Sequence, residues 1–228
     1  MRPASAALIA LCVLLTGVTS YFGFLPRYSG TMGFWALAGG PSVVLALVAA
    51  LWARREELLR EWVKPQAGDV TKGVAAAAAL VLASWAFSRV VTPTGSPREI
   101  WLVTLYGQIG NPVTLQAHGA AVAAGIIVAA VSEELVWRGM VTQLLADAVG
   151  TRTAWIWAGV VYAVAYVPTL WSLGAGGGID PALPMAALGC GLVWGLMAKT
   201  FGSLVPSMLA HAAFDWAIVM MFPLWGPK

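Results

Sequence analysis

Five ionisable side chains stand inside runs of sequence that are otherwise apolar. Glu133, Glu134 and Arg138 fall within VAAVSEELVWRGMV, and His211 and Asp215 within MLAHAAFDWAIV. Each such group costs about 2.5–3.5 kcal/mol to insert into a bilayer, so five without partners would cost on the order of 10 kcal/mol. They are therefore expected to face one another across a helix bundle. Glu134 and Arg138 are four residues apart, the favourable order for a carboxylate followed by a cation on one helix face. His211 and Asp215 share the same spacing and can point into one cavity. Glu133, turned about 100° from Glu134, can aim at a different partner. The expected division is a structural ion pair between Glu134 and Arg138, with Glu133 left for chemistry with His211 and Asp215.

A carboxylate and an imidazole in a dry pocket suit general-base work on a water molecule and donation to a developing oxyanion. Asp215, one turn beyond His211, can hold the ring in place or donate if it keeps its own proton. The chemistry implied is amide hydrolysis without a covalent nucleophile. A buried salt-bridge network that only holds helices together fits the same residues. An ion or proton path is a third reading.

The elements that must carry these residues are membrane spans. The chain has 228 residues, 60% hydrophobic and 10% charged, with a mean hydropathy of +0.80. That balance leaves too few polar residues to coat a single core, and it excludes a disordered chain, a nucleic-acid-binding domain and most soluble enzymes. The fold class expected is all-α: a polytopic helical membrane bundle of about seven spans, with six to eight allowed by length. The apolar runs cover about 5–25, 30–53, 73–91, 115–145, 152–173, 182–201 and 204–225. The first is read as an uncleaved span rather than a signal peptide, because it is long and lacks an A-x-A site. Residues 54–72 form the most polar stretch, read as a solvated loop, and 100–110 is an apolar segment too short to cross, placed in the interface. Trp35, Trp52, Trp62, Trp101, Trp137 and Trp171 lie near the ends of the runs, as interfacial belts do.

Loop charge sets an expected orientation. With the N-terminus inside, the inner segments hold Arg2, Arg54, Arg55, Arg60, Lys64, Lys72, Arg152 and Lys199. The outer ones hold Arg27, Arg98 and Lys228, with Arg89 near that side. The Lys/Arg bias favours an N-terminus in the cytoplasm. The whole chain, 1–228, reads as one membrane domain, with 1–114 supplying spans and loops and 115–225 the chemistry. Cys12 and Cys190 sit in apolar runs, and neither a disulfide framework nor a zinc ligand spacing is present.

Glu133-Glu134-Leu135-Val136-Trp137-Arg138-Gly139 resembles the EExxxR signature of the CAAX-protease and bacteriocin-processing family of intramembrane proteases. His211-Ala212-Ala213-Phe214-Asp215 is similar to that family's HxxxN/D signature, in the same order along the chain. The resemblance covers about 115–225. It implies a glutamate-dependent, metal-free endopeptidase acting on a membrane-associated or lipid-modified protein, set in a bacterial cytoplasmic membrane. It also implies an aromatic residue followed four positions later by a His on the next helix. Here that stretch reads Tyr162-Ala163-Val164-Ala165-Tyr166, so Tyr166 stands where the His is expected. Tyr166 can donate to the oxyanion or position the water, or it can mark a non-catalytic scaffold or immunity protein on the same fold. No cofactor is expected. Zinc held by Glu133, His211 and Asp215 is disfavoured with one imidazole gone. The partners expected are a peptide substrate and the bilayer, and no nucleic acid. A proton-coupled transporter is the weaker alternative.

Smaller features read as packing. Gly191 and Gly195 form a G-x-x-x-G that is assigned to helix contact within the chain, and Gly39, Gly40 and Pro41 to a kink or close approach. Residues 174–181 form a glycine-rich loop, and His118 is placed at the outer surface.

Overall fold

The computed structural model describes residues 2–174 and 178–221. Among these the regular structure is helical and no strand is present, with α1 Pro3–Gly23, α2 Met32–Arg55, α3 Leu59–Trp62, α4 Asp69–Val90, α5 Glu99–Ile109 and α6 Pro112–Ala117. They are followed by α7 Gly119–Val149, α8 Ala154–Tyr166, α9 Thr169–Ser172, α10 Ala182–Phe201 and α11 Val205–Met220. Six helical segments, α8 and α9 together making one of them, are long and apolar enough to cross a membrane, and α11 is a shorter apolar helix. The polytopic bundle expected from composition is therefore observed. The last residues assigned to the seventh run, 222–225, lie outside the described residues.

Local chemistry explains the boundaries. Pro3 and Pro206 sit in the first turns of α1 and α11, where the missing N–H of proline has no helical partner to lose. Gly202 ends α10 at φ 65, the left-handed conformation that terminates helices at low cost to glycine. The Asp69 carboxylate accepts the Gln66 backbone N–H at 2.7 Å and pairs with Lys72 at 3.4 Å, closing the start of α4.

Successive long helices run antiparallel, so the bundle has two unlike ends. The basic end gathers the 56–68 connection, the α7–α8 turn and the α10–α11 turn. It is tied by Leu204 N–H donating to Trp62 C=O at 2.9 Å and by Lys199 Nζ donating to Arg152 C=O at 2.9 Å. The far end carries α5, α6 and residues 178–181 ahead of α10, and there Gly30 N–H meets Gln108 C=O at 3.0 Å; residues 175–177 of the glycine-rich stretch lie outside the described residues.

The placement of two tryptophans differs from the sequence reading. The 54–72 stretch is not a free loop: α3 turns Trp62 inward, where it is buried beside Trp52 and over Gly139. Trp137 is likewise in the core, so these two tryptophans are packing residues and not part of a belt. The short segment 100–110, too short to cross as expected, is α5, and it also lines a cavity through Leu102, Leu105, Tyr106 and Ile109.

Glycine contacts are made within the chain. A Cβ on Gly191 would stand 3.4 Å from Gly159 Cα, and one on Gly195 3.1 Å from Trp155 C=O. The G-x-x-x-G face of α10 is thus the surface on which α8 packs, as expected.

Candidate active site

The double glutamate lies at the middle of α7, where the helix passes from α-helical to π-helical geometry over Glu134–Val141. Such widened turns recur at functional sites. Thr142 Oγ1 donates to Trp137 C=O, five residues back, at 2.8 Å, satisfying a carbonyl of the widened turn. Consecutive helical residues diverge by about 100°, so the two carboxylates address different neighbours.

Glu133 faces α8. Its Oε2 accepts from the Tyr162 hydroxyl at 2.6 Å and its Oε1 from the Tyr166 hydroxyl at 3.2 Å. Tyr162 and Tyr166 are one turn apart and lie edge to face, with ring centroids 5.2 Å apart. Glu134 faces α11 and is fully buried. Its Oε1 lies 3.0 Å from His211 Nδ1 and 3.3 Å from Arg138 Nη1. His211 Nε2 in turn lies 3.3 Å from Asp215 Oδ2. A neutral imidazole has one N–H and can donate to only one of these carboxylates.

The pairing differs from the expected division in one respect. His211 bonds to Glu134, the partner of Arg138, and Glu133 bonds to the two tyrosines. The i, i+4 pairs Glu134–Arg138 and His211–Asp215 both form as their spacing predicts. Glu133, Tyr162, Tyr166, His211 and Asp215 all line one cavity, whereas Glu134 and Arg138 stand behind its wall.

Aromatic rings do the rest of the positioning. Trp194 of α10 stacks on His211, centroids 3.6 Å apart with the planes 18° from parallel. The Arg138 guanidinium lies 4.4 Å from the Tyr162 ring and 5.0 Å from the Trp194 ring. These faces supply cation–π attraction where hydrogen-bond acceptors are few, and such contacts reach about 2 kcal/mol when desolvated. Gly191 makes room for this: a Cβ there would stand 3.2 Å from the Tyr162 ring and 3.3 Å from Arg138 Nη2.

Tyr162 entered the sequence reading only as the aromatic position of the resembled signature, and no site role was assigned to Trp194, Gly191 or Trp62. Tyr162 was discoverable, being four residues before Tyr166 on the same helix face. Trp194 stands mid-span instead of at a span end, an anomaly for an interfacial residue. Nothing in a polar loop marks Trp62 as a core residue. Among the described residues, no three His, Cys, Asp or Glu side chains are placed to share a metal ion.

An acid, an imidazole and paired phenols around a cavity inside a membrane bundle define a class: polytopic helical proteins with an intramembrane polar site. Comparison with known proteins adds a likeness over part of the chain. Residues 115–217 match the family model described as Type II CAAX prenyl endopeptidase Rce1-like. The motif resemblance is thereby borne out over that segment, and in general terms it supports a CAAX-type intramembrane protease. No curated protein and no solved structure matches the chain.

Proposed function

We propose that this protein is an intramembrane endopeptidase that hydrolyses a peptide bond in a membrane-associated or lipid-modified protein. The observation that carries this reading is the convergence of Glu133, Tyr166, His211 and Asp215 on one cavity within a lipid-spanning bundle. Water entering the cavity meets Glu133, whose carboxylate takes a proton as the oxygen attacks the scissile carbonyl. The phenols of Tyr162 and Tyr166 hold that carboxylate in place, and Tyr166, on the longer bond, is free to turn its proton toward the oxyanion. Glu134, ionised beside Arg138, accepts Nδ1–H of His211 and so presents Nε2 to the cavity, where it can share the water or pass a proton to the leaving amine. Asp215 in its protonated form donates to that nitrogen, and it accepts from it once Nε2 has taken up a proton. The supporting set Glu134, Arg138 and Trp194 thus fixes one tautomer and one ring orientation.

One observation favours a second reading. Both carboxylate oxygens of Glu133 are already engaged by phenols, which suits a non-catalytic scaffold or immunity protein as well as a resting enzyme.

Comparative proteomics of membranes from a deletion strain decides between them. A protease predicts membrane proteins that keep a terminal segment lost in the wild type, with Glu133→Gln reproducing the deletion pattern. A scaffold predicts no change in any terminus.

A further inference from the structure

A second, much smaller cavity borders Glu133 between α1, α2, α7 and α8. Its volume is about 10 Å³, the room that one water molecule needs. Neither His211 nor Asp215 lines it, in contrast to the large cavity of the site. Five of its ten lining residues, Thr16, Thr19, Ser42, Glu133 and Tyr166, carry a side-chain oxygen. Empty cavities in proteins are apolar, whereas polar ones of this size hold ordered water.

The two N-terminal helices build this space. Gly17 lets α1 close on α8: a Cβ there would stand 3.2 Å from Ala165 C=O. Thr16 and Thr19, three residues apart, share a face of α1. On α2, Pro41 stands inside the helix, so the Leu37 carbonyl loses the N–H that a helix supplies four residues on. Ala38 and Pro41 both line the cavity. In membrane helices such a break is made good by Ser and Thr side chains and by ordered water.

The hydrogen bonds already made define what fits. Ser42 Oγ donates to Gly39 C=O at 2.6 Å, and Thr19 Oγ1 donates to Leu15 C=O at 2.8 Å. Their hydrogens are committed, so both oxygens offer only lone pairs. A carboxylate has about four acceptor positions, and the phenols engage two of those on Glu133. A space so rich in acceptors takes a small molecule with two hydrogens to give. Water gives one to Glu133 and one to Ser42 or Thr19, and accepts the Thr16 hydroxyl, about three bonds in all.

We infer that this cavity binds one ordered water that holds the Glu133 carboxylate from the side of α1 and α2, with Thr16, Thr19 and Ser42 as positioning residues acting through it. This water is structural and distinct from the one that attacks the substrate. All three hydroxyls stand ahead of residues 115–217, so the segment that matches the family model draws part of its support for Glu133 from outside itself. The effect on turnover rests on the proteolytic reading, but the water and its hold on the carboxylate do not.

The test is a pair of crystal structures of the full chain grown in lipid, at a resolution that shows ordered waters: the wild type, and Thr16→Val combined with Thr19→Val. Valine keeps the shape of threonine and removes only the hydroxyl. In the wild type a water is expected within hydrogen-bond distance of a Glu133 oxygen and of at least two of the three hydroxyls. In the double variant the water is expected to be lost and the Glu133 carboxylate to turn away from Tyr166. A wild-type cavity without that water overturns the inference, and an unmoved carboxylate in the variant overturns the positioning role. With a substrate in hand, kcat of the double variant is expected to fall about tenfold at unchanged KM, as loss of a hydrogen bond to a charged group implies. Thr16→Ser with Thr19→Ser should recover most of that loss. A lower unfolding temperature with kcat unchanged would mean that the threonines only pack. If no peptide is ever cleaved, the proteolytic reading fails while the two structures still decide the inference.

Discussion

The indole of Trp62 occupies the space that a side chain at Gly139 would need: a Cβ there would stand 2.6 Å from the ring. The residue that follows Arg138 in the double-glutamate segment is thus a seat for a tryptophan from the polar connection between α2 and α4. The same tryptophan offers its carbonyl to Leu204 N–H at 2.9 Å, at the start of the helix that bears His211. One residue of a charged loop thus meets α7, which bears the double glutamate, and the residue that opens α11, which bears His211.

Gly139→Ala is expected to destabilise the protein by about 1–3 kcal/mol, the usual cost of overpacking. Trp62→Leu in the same chain should recover part of that loss, because a smaller side chain tolerates the new methyl. Thermal unfolding in detergent of the two single variants and the double variant measures this. Additive losses would show that the two positions are not in contact.

The two phenols are unequal. The Tyr162 bond to Glu133 is 2.6 Å and the Tyr166 bond 3.2 Å. Hydrogen bonds to a charged group contribute about 1.5–3 kcal/mol. Tyr162→Phe is therefore expected to lower kcat by about 10- to 100-fold, and Tyr166→Phe by less unless its proton reaches the oxyanion. Unchanged turnover of Tyr166→Phe would exclude a role for that phenol. Peptidase assays of the two variants, with intact folding checked by thermal unfolding, give the comparison.

Glu134→Gln leaves the Arg138 guanidinium buried with only aromatic faces for company. Removing one partner of a buried pair costs about 3–5 kcal/mol. A fall in unfolding temperature well beyond that of Glu133→Gln is expected. Equal falls would mean that Glu134 does not anchor Arg138.

Asp180 provides a pH-dependent contact at the far end. Its Oδ1 accepts the Ala182 N–H at 2.9 Å and so closes the first turn of α10. Burial pushes its carboxyl from an ordinary 3.8 up to about 6, against a smaller opposing effect of that hydrogen bond. Because the folded value is raised, the stabilisation is complete below 3.8 and is lost as pH rises through about 6. The unfolding temperature in detergent should fall between pH 4 and 7, a window set by the same two values, because ionisation exposes the burial penalty that the Ala182 bond only partly offsets. Asp180→Asn should flatten that profile, and a pH-independent wild type would contradict it.

The parts of this architecture that are legible in sequence are those governed by solvent and helix periodicity. Lipid as solvent leaves long apolar runs, so the spans stand out, and any buried charge stands out against them. Spacing of four then fixes which charges share a face, and Glu134–Arg138 and His211–Asp215 pair accordingly. What spacing cannot carry is which neighbouring helix each face meets. The choice of Glu134 over Glu133 as the partner of His211 depends on the arrangement of α7, α8 and α11. The burial of Trp62 depends on the absence of a side chain at Gly139, which becomes informative only once the two are known to meet.

The most direct test of the account is cleavage of a membrane-protein substrate, identified by its retained terminus, using purified wild type, Glu133→Gln and His211→Ala. Both variants are expected to fold, to keep the helical signal of the wild type, and to lose about a hundred- to ten-thousandfold in turnover, the range that general acid–base catalysis contributes. Full cleavage by folded Glu133→Gln would contradict the assignment of this carboxylate as the group that activates water.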